Sequence, residues 1–469
     1  MSEQRSSDWN KLSPPASARS AGEAGPQHDQ LRSEASDFVQ QFVPQRDRKP
    51  SLAAVGQEVS RAAPWLFVFA VLTSVVTLLL IAVGGLVTSH EAGMAVPDWP
   101  NSYGYNVFLF PPARWVGGIL YEHTHRLIAT VVGVLVVALT RWLGGPGSRL
   151  PLAIVGGLEV IAGIILLARW PQLKGAGHFL WGIGGVVLMA AAVWVRNVPA
   201  ARPLPALGWL AFAAVQIQGL LGGLRVVLLS DPIGIFHAAL AQMFFALLCA
   251  IAVLAGINWW RALPESSSNL KLPISTLFPR VWTPVTLAAL AITLLILGQL
   301  VLGATMRHQH AGLAIPDFPL AYGKLWPAMD EASVVAYNAH RIETTTVNPI
   351  TGFQVGLQMV HRIGALMILL SVAGFAWTVF RRFPPGVIRK LAATWLGLVL
   401  LQGLLGATTI WMNKPADIAT AHVVLGALLL AFGAMMCIIL PDAVESTTRM
   451  RGKSRTMGSV VPSAAPVFR

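Results

Sequence analysis

The chain has 469 residues, of which 55% are hydrophobic and only 12% carry a charge, and its mean hydropathy is +0.62. Soluble domains carry about 25% charged residues, so this composition excludes a soluble globular protein, and the lack of short alternating strands excludes a transmembrane barrel. The net charge of +13 does not indicate nucleic-acid binding, because the basic residues lie in short loops and in the two tails, as in the cytoplasm-facing segments of membrane proteins.

The first 60 residues are rich in Ser, Pro, Gln, Arg and Glu and contain no apolar core. This composition predicts a disordered cytoplasmic tail over residues 1–60. The tail is not expected to be a signal peptide, because no apolar stretch follows a short basic region.

Ten apolar segments follow the tail, each about long enough to cross roughly 30 Å of hydrocarbon as a helix. They span residues 66–88, 124–142, 150–169, 178–195, 205–226, 233–256, 283–305, 356–380, 388–411 and 418–440. The loops assigned to the inner side are basic and contain Glu265 as their only acidic residue. We therefore expect an all-α, multi-pass protein of the cell inner (plasma) membrane, with both termini in the cytoplasm.

An internal repeat organises these segments. Four motifs recur in the same order in both halves. In chain order, the matching pairs are residues 93–104 and 312–323, 125–126 and 361–362, 218–222 and 402–406, and 237–240 and 422–425. Seven of the twelve residues of the first motif are identical. The repeat predicts two four-helix bundles, over residues 61–260 and 261–445, with an extra helical hairpin at about 148–200 and a basic cytoplasmic tail over residues 446–469.

The repeat contains four matched histidines, which are His125, His237, His361 and His422. Each is expected near the start of a helix that begins on the outer side, so each half places two imidazoles at one depth. Two imidazoles that face each other across a four-helix bundle can ligate a haem iron axially. Zinc is a weaker hypothesis, because it requires a third or fourth ligand at each site. For any single histidine, a hydrogen-bonded structural role is the alternative.

Arg126 and Arg362 each follow one of these histidines directly. Because an arginine binds a carboxylate through two hydrogen bonds, both are candidate partners for haem propionates. An interfacial arginine that extends to the lipid headgroups is the equally weighted alternative.

Glu122 lies three residues before His125, on the same face of the predicted helix. The matching residue of the second half is Gln358, whose amide cannot take up a proton. This asymmetry predicts that chemistry takes place in the first half and that the second half holds a bound haem. A carboxylate stabilised by the start of its helix is the alternative role of Glu122.

The extra hairpin carries two polar residues without an assigned role. Glu159 lies inside an apolar segment and has no partner that the sequence identifies. His178 follows Gly163 by the same fifteen residues that separate His237 from Gly222, which suggests a decayed third copy of the repeat.

With these motifs the chain resembles the haem A synthase family of aerobic bacteria and mitochondria. The similarity rests on Glu122-His-Thr-His-Arg126, which matches that family's Glu-x-x-His-Arg motif, and on the Gly-x-x-x-Pro-Asp-Trp-Pro loop at residues 93–100. It rests also on Gln-Gly-x-x-Gly followed by a histidine that opens the next helix, in both halves. The resemblance covers roughly residues 65–145 and 205–440.

The resemblance implies an oxidoreductase that converts a ring methyl of haem O to the formyl group of haem A, by two hydroxylations and loss of water. It implies that His125 and His237 bracket the substrate haem O, that Glu122 assists the oxidation, and that His361 and His422 ligate a resident haem b. Besides membrane lipid, it gives haem O synthase (a farnesyltransferase), an electron acceptor and a second copy of the chain as candidate partners.

The chain departs from the family in two respects. Many members have a cysteine pair in their outer loops, whereas Cys249 and Cys437 of this chain fall in apolar segments. The hairpin at about 148–200 also gives ten helices where eight are usual.

Three other functions are compatible with parts of the pattern. A membrane b-type cytochrome with two haems, which only transfers electrons, explains the four histidines but gives no role to Glu122. A haem transporter or chaperone needs an exit path that the sequence does not reveal. A scaffold with buried histidines leaves the matched pairs unexplained.

Overall fold

The computed structural model describes residues 52–195, 203–262, 283–340 and 349–458. The chain divides into two compact units, Met1–Val55 and Gly56–Arg469, and only the last few residues of the first unit are among those described. Most of the predicted disordered tail therefore lies outside the described residues, as do the inner-loop residues 263–282, which include Glu265.

Ten long α-helices make up most of the described part, and one short helix, α8, lies between the seventh and eighth of them. The helices are α1 (Leu52–Ser89), α2 (Gly118–Gly144), α3 (Arg149–Arg169), α4 (Lys174–Ala192), α5 (Pro203–Leu228), α6 (Asp231–Ala262), α7 (Pro284–His308), α8 (Glu331–Ala339), α9 (Gly352–Arg382), α10 (Val387–Trp411) and α11 (Ala416–Gly458). Within the described ranges, nine segments are long and apolar enough to cross a membrane, and one of them, Gly118–Arg169, contains both α2 and α3. The predicted all-α, multi-pass fold is confirmed.

Two helices extend beyond the apolar segments that predicted them. Helix α1 begins at Leu52, inside the stretch that was expected to be disordered. Its first four residues, Leu-Ala-Ala-Val, are all apolar, and Pro64 lies within the helix. Helix α11 continues to Gly458, so the first part of the predicted basic tail is helical, and residues 459–469 lie outside the described residues.

The long helices form two bundles of four and a separate hairpin. Helices α1, α2, α5 and α6 surround one core, in which Leu139 and Leu248 are fully buried. Helices α7, α9, α10 and α11 surround a second core around the fully buried Trp395. The bundles meet where α1 and α6 pack against α7 and α11, since Ile81 and Phe245 of the first bundle belong to the second core.

The extra hairpin, α3 and α4, is held together by glycines. A Cβ on Gly163 would lie 2.6 Å from the backbone nitrogen of Trp181, and a Cβ on Gly184 would lie 2.7 Å from the carbonyl oxygen of Gly156. Small residues at such positions let two membrane helices approach backbone to backbone. The hairpin packs on α2 and α5 through a small core that includes Val137 and Phe212.

Two long connections, residues 90–117 and the described residues 309–340 and 349–351, lie on one side of the bundles, which we call the loop side. Both contain the predicted repeat and fold alike. Asp98 accepts hydrogen bonds from the backbone nitrogens of Tyr103 and Gly104, both 2.7 Å long. Asp317 likewise accepts from the backbone nitrogens of Tyr322, at 2.7 Å, and Gly323, at 2.9 Å. The peptide bonds Trp99–Pro100 and Phe318–Pro319 are both cis.

Candidate functional site

Each of the four predicted histidines lies near the loop-side start of its helix, against a glycine of the helix that precedes it in the bundle. The pairs are His125 on Gly84, His237 on Gly222, His361 on Gly303 and His422 on Gly406. A Cβ on these glycines would lie between 2.9 and 3.3 Å from the Cε1 atom of the facing imidazole. Any larger residue would displace the ring, so the glycines, here called the glycine seats, position all four rings.

The histidines interact in pairs, and each pair belongs to one bundle. His125 interacts electrostatically with His237 in the first bundle, and His361 does so with His422 in the second. The structure therefore brings together the residues that the repeat predicted to act together.

The two nitrogens of each ring have different surroundings. All four Nδ1 atoms are buried and lack a fully formed hydrogen bond, although the rings themselves are only partly buried. The backbone carbonyls of Leu80, Gln218 and Gln402 approach the rings of the first, second and fourth histidines. At His422, Nε2 lies 3.5 Å from Nε2 of Gln402, so this amide lies beside the nitrogen that would take a ligand.

Three glutamines attach the histidine-bearing helices to their glycine seats. The Nε2 atom of each glutamine donates to the backbone carbonyl of the facing histidine: Gln218 to His237 at 3.1 Å, Gln299 to His361 at 2.8 Å and Gln402 to His422 at 3.0 Å. Each glutamine precedes its glycine seat by four residues, which places both on one helix face. The residue at the same position before Gly84 is Leu80, so the His125 site lacks this bond.

The donor set fits a haem iron better than an isolated metal ion. Within the part of the chain that the structure describes, no three His, Cys, Asp or Glu side chains gather as a tetrahedral metal site requires. Two imidazoles per bundle match the number of axial ligands that a haem iron takes. The residues present are thus suitable for one haem in each bundle.

Glu122 and Gln358 both attach a loop to the bundle. Glu122 is 4% exposed and accepts a 2.8 Å hydrogen bond from the backbone nitrogen of Val96. Gln358 is 2% exposed and accepts a 2.6 Å hydrogen bond from the backbone nitrogen of Ile315, the residue that matches Val96. Glu122 and Gln358 therefore have the same structural role and differ in charge. The carboxylate of Glu122 has a second partner in Arg126, at 2.7 Å.

Arg126 and Arg362 also bind the loops. Arg126 donates to the carbonyls of Asp98, Asn101 and Val96 at 2.5, 2.6 and 2.7 Å and to Glu122. Arg362 donates to the carbonyls of Leu320, at 2.8 Å, and Asp317, at 2.7 Å, and its Nε is buried without a partner. The propionate contacts predicted for both arginines stay predictions, and most donors of Arg126 are engaged by the loop.

The aromatic residues of the two loops are placed differently. Trp99 lies on Gly223 of α5, where a Cβ would overlap its indole, and its ring centroid is 5.0 Å from that of Phe179 in the extra hairpin. In the second half the residue that matches Gly223 is Ala407, and Phe318 instead packs at 6.0 Å against Trp411. The first loop thus inserts between α5 and the extra hairpin.

His123 serves the first loop rather than the histidine pair. It is fully buried, its Nδ1 lies 3.0 Å from the hydroxyl of Ser102, and its ring contacts Phe110 and Trp115.

The structure supplies a partner for Glu159, which accepts a hydrogen bond from the amide of Gln216 on α5. It does not support a third copy of the repeat, since Gly163 faces the backbone of Gly177 and Trp181 and not the ring of His178. The hairpin packs too closely at Gly163 to seat an imidazole there.

The sequence interpretation missed the glycine seats as a fourfold feature. The motif Gln-Gly-x-x-Gly was recognised at residues 218–222 and 402–406, but its reduced forms at residues 80–84 and 299–303 were not. The spacing of four residues before each glycine was the available signal.

Residues 177–433, more than half of the chain, match the COX15-CtaA family, described as cytochrome oxidase assembly protein. The chain belongs to this family. The match extends from α4 to α11 and includes His237, His361 and His422, whereas Glu122 and His125 precede it.

Individual relatives of the family are named haem A synthase. The protein of Methylobacterium nodulans is 30% identical over 220 residues, which cover 47% of this chain and 56% of the relative, so this match spans little more than half the relative's length. That of Lysinibacillus sphaericus is 22% identical over 377 residues, 79% of this chain and 93% of the relative. That of Sphingopyxis alaskensis is 25% identical over 397 residues, 81% of this chain and 92% of the relative.

Proposed function

We propose that this family member is a haem A synthase, which oxidises a ring methyl of haem O to a formyl group through two successive hydroxylations and loss of water. The observation that carries the proposal is the pairing of four histidines on glycine seats, one pair in each bundle. The similarity to relatives named haem A synthase over about four-fifths of the chain supports the same activity.

The first bundle binds the substrate. His125 and His237 lie near the loop side of the first bundle, and both would hold the iron of haem O through a ring nitrogen. Their glycine seats, Gly84 and Gly222, keep the rings at a fixed depth.

The second bundle holds haem b through His361 and His422. When bound, haem b supplies reversible one-electron transfer. The side chains of Gln299 and Gln402 hold both histidine-bearing helices to their partners, as suits a resident cofactor that is retained through many turnovers.

Glu122 is the group to which we assign proton transfer. Oxidation of a methyl to a formyl group removes four electrons from the carbon and breaks C–H bonds, so protons must leave the site. The Glu122 carboxylate lies one turn from His125 on the same helix face. Its neighbour Arg126 fixes its direction through the 2.7 Å ion pair.

The arginines that follow the histidines have a supporting role. Arg126 fixes the first loop over the substrate and has few donors left for a propionate. Arg362 keeps a buried Nε without a partner and is the better placed of the two to reach a propionate of haem b.

The setting of the enzyme follows from its nine apolar spans. The basic inner loops support a topology with both termini in the cytoplasm and the loop side outside the inner membrane. Haem O is apolar enough to arrive through the bilayer, where haem O synthase would supply it.

A two-haem cytochrome that only transfers electrons is the second candidate. The close likeness of the two histidine pairs favours it, because both bundles seat their rings in the same way. It leaves the carboxylate of Glu122 without a function beyond loop attachment.

The decisive experiment is haem analysis of the purified chain. The protein is expressed in a host that makes haem O but no haem A, and its haems are extracted with acidic acetone and separated by reverse-phase chromatography. Haem A or its hydroxymethyl precursor beside haem b is the expected result. Two haem b per chain and no modified porphyrin would refute the synthase and leave the electron-transfer cytochrome.

A further inference from the structure

Three basic side chains meet on the loop side, between the two bundles. Arg225 lies at the end of α5, and Arg307 and His308 are the last residues of α7. His308 is only 8% exposed, although it closes its helix. We call these three residues the inter-bundle basic cluster.

The backbone around the cluster leaves room for it. A Cβ on Gly93 would lie 2.8 Å from Nη1 of Arg225, and a Cβ on Gly234 would lie 2.9 Å from its Nε and would overlap the His308 ring. Arg307 donates to the carbonyl of Gly85, at 2.6 Å, and to the hydroxyl of Ser89. The cluster is thus packed in place.

The cluster carries more positive charge than its surroundings balance. The nearest carboxylate, Asp231, lies 3.9 Å from Nδ1 of His308 and is 55% exposed, and Glu122 is already paired with Arg126. The Nε atoms of Arg225 and Arg307 are buried without a partner. Arginines within spanning helices are costly unless an anion or a polar partner compensates them.

The position of the cluster indicates which anion it serves. Gly234 lies one turn before His237 on α6, and Gly85 directly follows Gly84, the seat of His125. Arg225 acts electrostatically on both histidines of the first bundle, and Arg307 acts on His422 of the second. The cluster therefore lies between the two histidine pairs, with Arg225 beside the first.

We propose that Arg225, Arg307 and His308 form a carboxylate-binding site that takes the propionate groups of the haem held by His125 and His237. This inference rests on the proposed function, because it needs a haem in the first bundle. Haem carries two propionates, and Arg225 and Arg307 provide two guanidinium groups for them, of which Arg225 can bind a carboxylate in bidentate fashion. Nη2 of Arg307 already donates to Gly85 and Ser89, so Nε and Nη1 are its remaining donors. The site would fix the in-plane orientation of the substrate and thus which ring methyl is oxidised.

The test measures binding rather than turnover. The full-length chain is purified after haem-limited expression and titrated with protohaem IX and with its dimethyl ester, which has the same iron and ring but no carboxylates. Each titration is monitored by the absorbance of the Soret band. The affinity of the first-bundle haem site is then compared between wild type, Arg225→Gln and Arg307→Gln. Arg169→Gln is the matched control, because Arg169 is an exposed arginine at the end of α3 on the same side.

Wild type should bind the free acid about tenfold or more tightly than the ester, since charge-assisted hydrogen bonds are lost with the carboxylates. Arg225→Gln and Arg307→Gln should reduce this preference to within about threefold, and Arg169→Gln should keep it. If Arg225→Gln binds neither haem, Arg225→Lys replaces it. Lysine retains the charge but not the bidentate geometry, so a reduced preference is expected and an unchanged one overturns the site.

Failure of this inference is distinguishable from failure of the proposed function. An equal preference for the free acid in wild type and in both glutamine variants would overturn the cluster as the propionate site while leaving haem binding intact. A wild-type chain that binds neither porphyrin would overturn both.

Discussion

The side chain of Gln402 donates a 3.0 Å hydrogen bond to the backbone carbonyl of His422, from one turn before the glycine on which the His422 ring rests. A single helix face thus supplies both the seat of the ring and the attachment of its helix. The same arrangement recurs at His237 and His361. Because the motif is local to one helix pair, each histidine is positioned independently of the others.

The glycine seats give a prediction with its control in the same motif. Gly406→Ala places a methyl group 3.1 Å from Cε1 of His422, so the ring must move and the haem b content should fall about tenfold. Gly403→Ala, three residues earlier, meets nothing within 4 Å and should leave haem b in place. The pyridine haemochrome spectrum of each purified variant gives the ratio of haem to protein. Equal haem content in the two variants would show that the seat does not position the ligand.

Because Leu80 takes the place of a glutamine, we expect the two bundles to retain haem to different degrees. Because Leu80 stands where the other three sites have glutamine, His125 should release its haem most readily, as a substrate site requires. Gln402→Leu should speed the loss of haem b about two- to tenfold, the equivalent of one hydrogen bond. Leu80→Gln should slow release from the first bundle by a similar factor. Haem transfer to excess apomyoglobin measures both rates, and unchanged rates in both variants would contradict this explanation.

A substitution of Glu122 can test its negative charge separately from its role in attaching the loop. Glu122→Gln keeps an oxygen to accept from Val96, as Gln358 does from Ile315, but it cannot take up a proton. We expect at least about a hundredfold loss of haem A formation with haem b retained, as for removal of a general acid or base. Gln358→Glu is the control and should leave product formation unchanged. If Glu122→Gln keeps its activity, the carboxylate only attaches the loop.

The packing of Trp99 on Gly223 predicts that one added methyl group on α5 detaches the first loop. Gly223→Ala would overlap the Trp99 indole and should release residues 96–104 from the bundle, which lowers haem A formation and leaves haem b unchanged. Hydrogen exchange of the loop measures the release. Ala407→Gly, at the matching position of the second half, is the control and should not change exchange in the first loop. Unchanged exchange in Gly223→Ala would contradict the packing described.

Much of the architecture was predictable because it depends on local composition and on the repeat. Apolar segments of about 20 residues identified all ten long helices, and the matched motifs identified the four histidines before any distance was known. The start of α2 was placed six residues late, at 124 instead of Gly118, because Glu122 and His123 interrupt the apolar pattern although both are buried in the helix.

The contacts of the arginines were not predictable in the same way. Arg126 binds carbonyls 25 to 30 residues before it in the chain, and the sequence does not show that the loop folds back onto α2. A cluster such as Arg225 with His308 joins two bundles, so it emerges only when the halves are packed together. Long-range polar contacts of this kind depend on tertiary structure, not on motif spacing.

The most direct test of the division of labour between the bundles compares His125→Ala with His361→Ala. Both variants are expressed in a host that makes haem O but no haem A, and their haems are extracted and quantified per chain. His125→Ala should keep haem b and contain neither haem A nor its hydroxymethyl precursor, whereas His361→Ala should lose haem b. Loss of the same haem from both variants, or haem A formed by His125→Ala, would contradict the assignment of substrate to the first bundle and of haem b to the second.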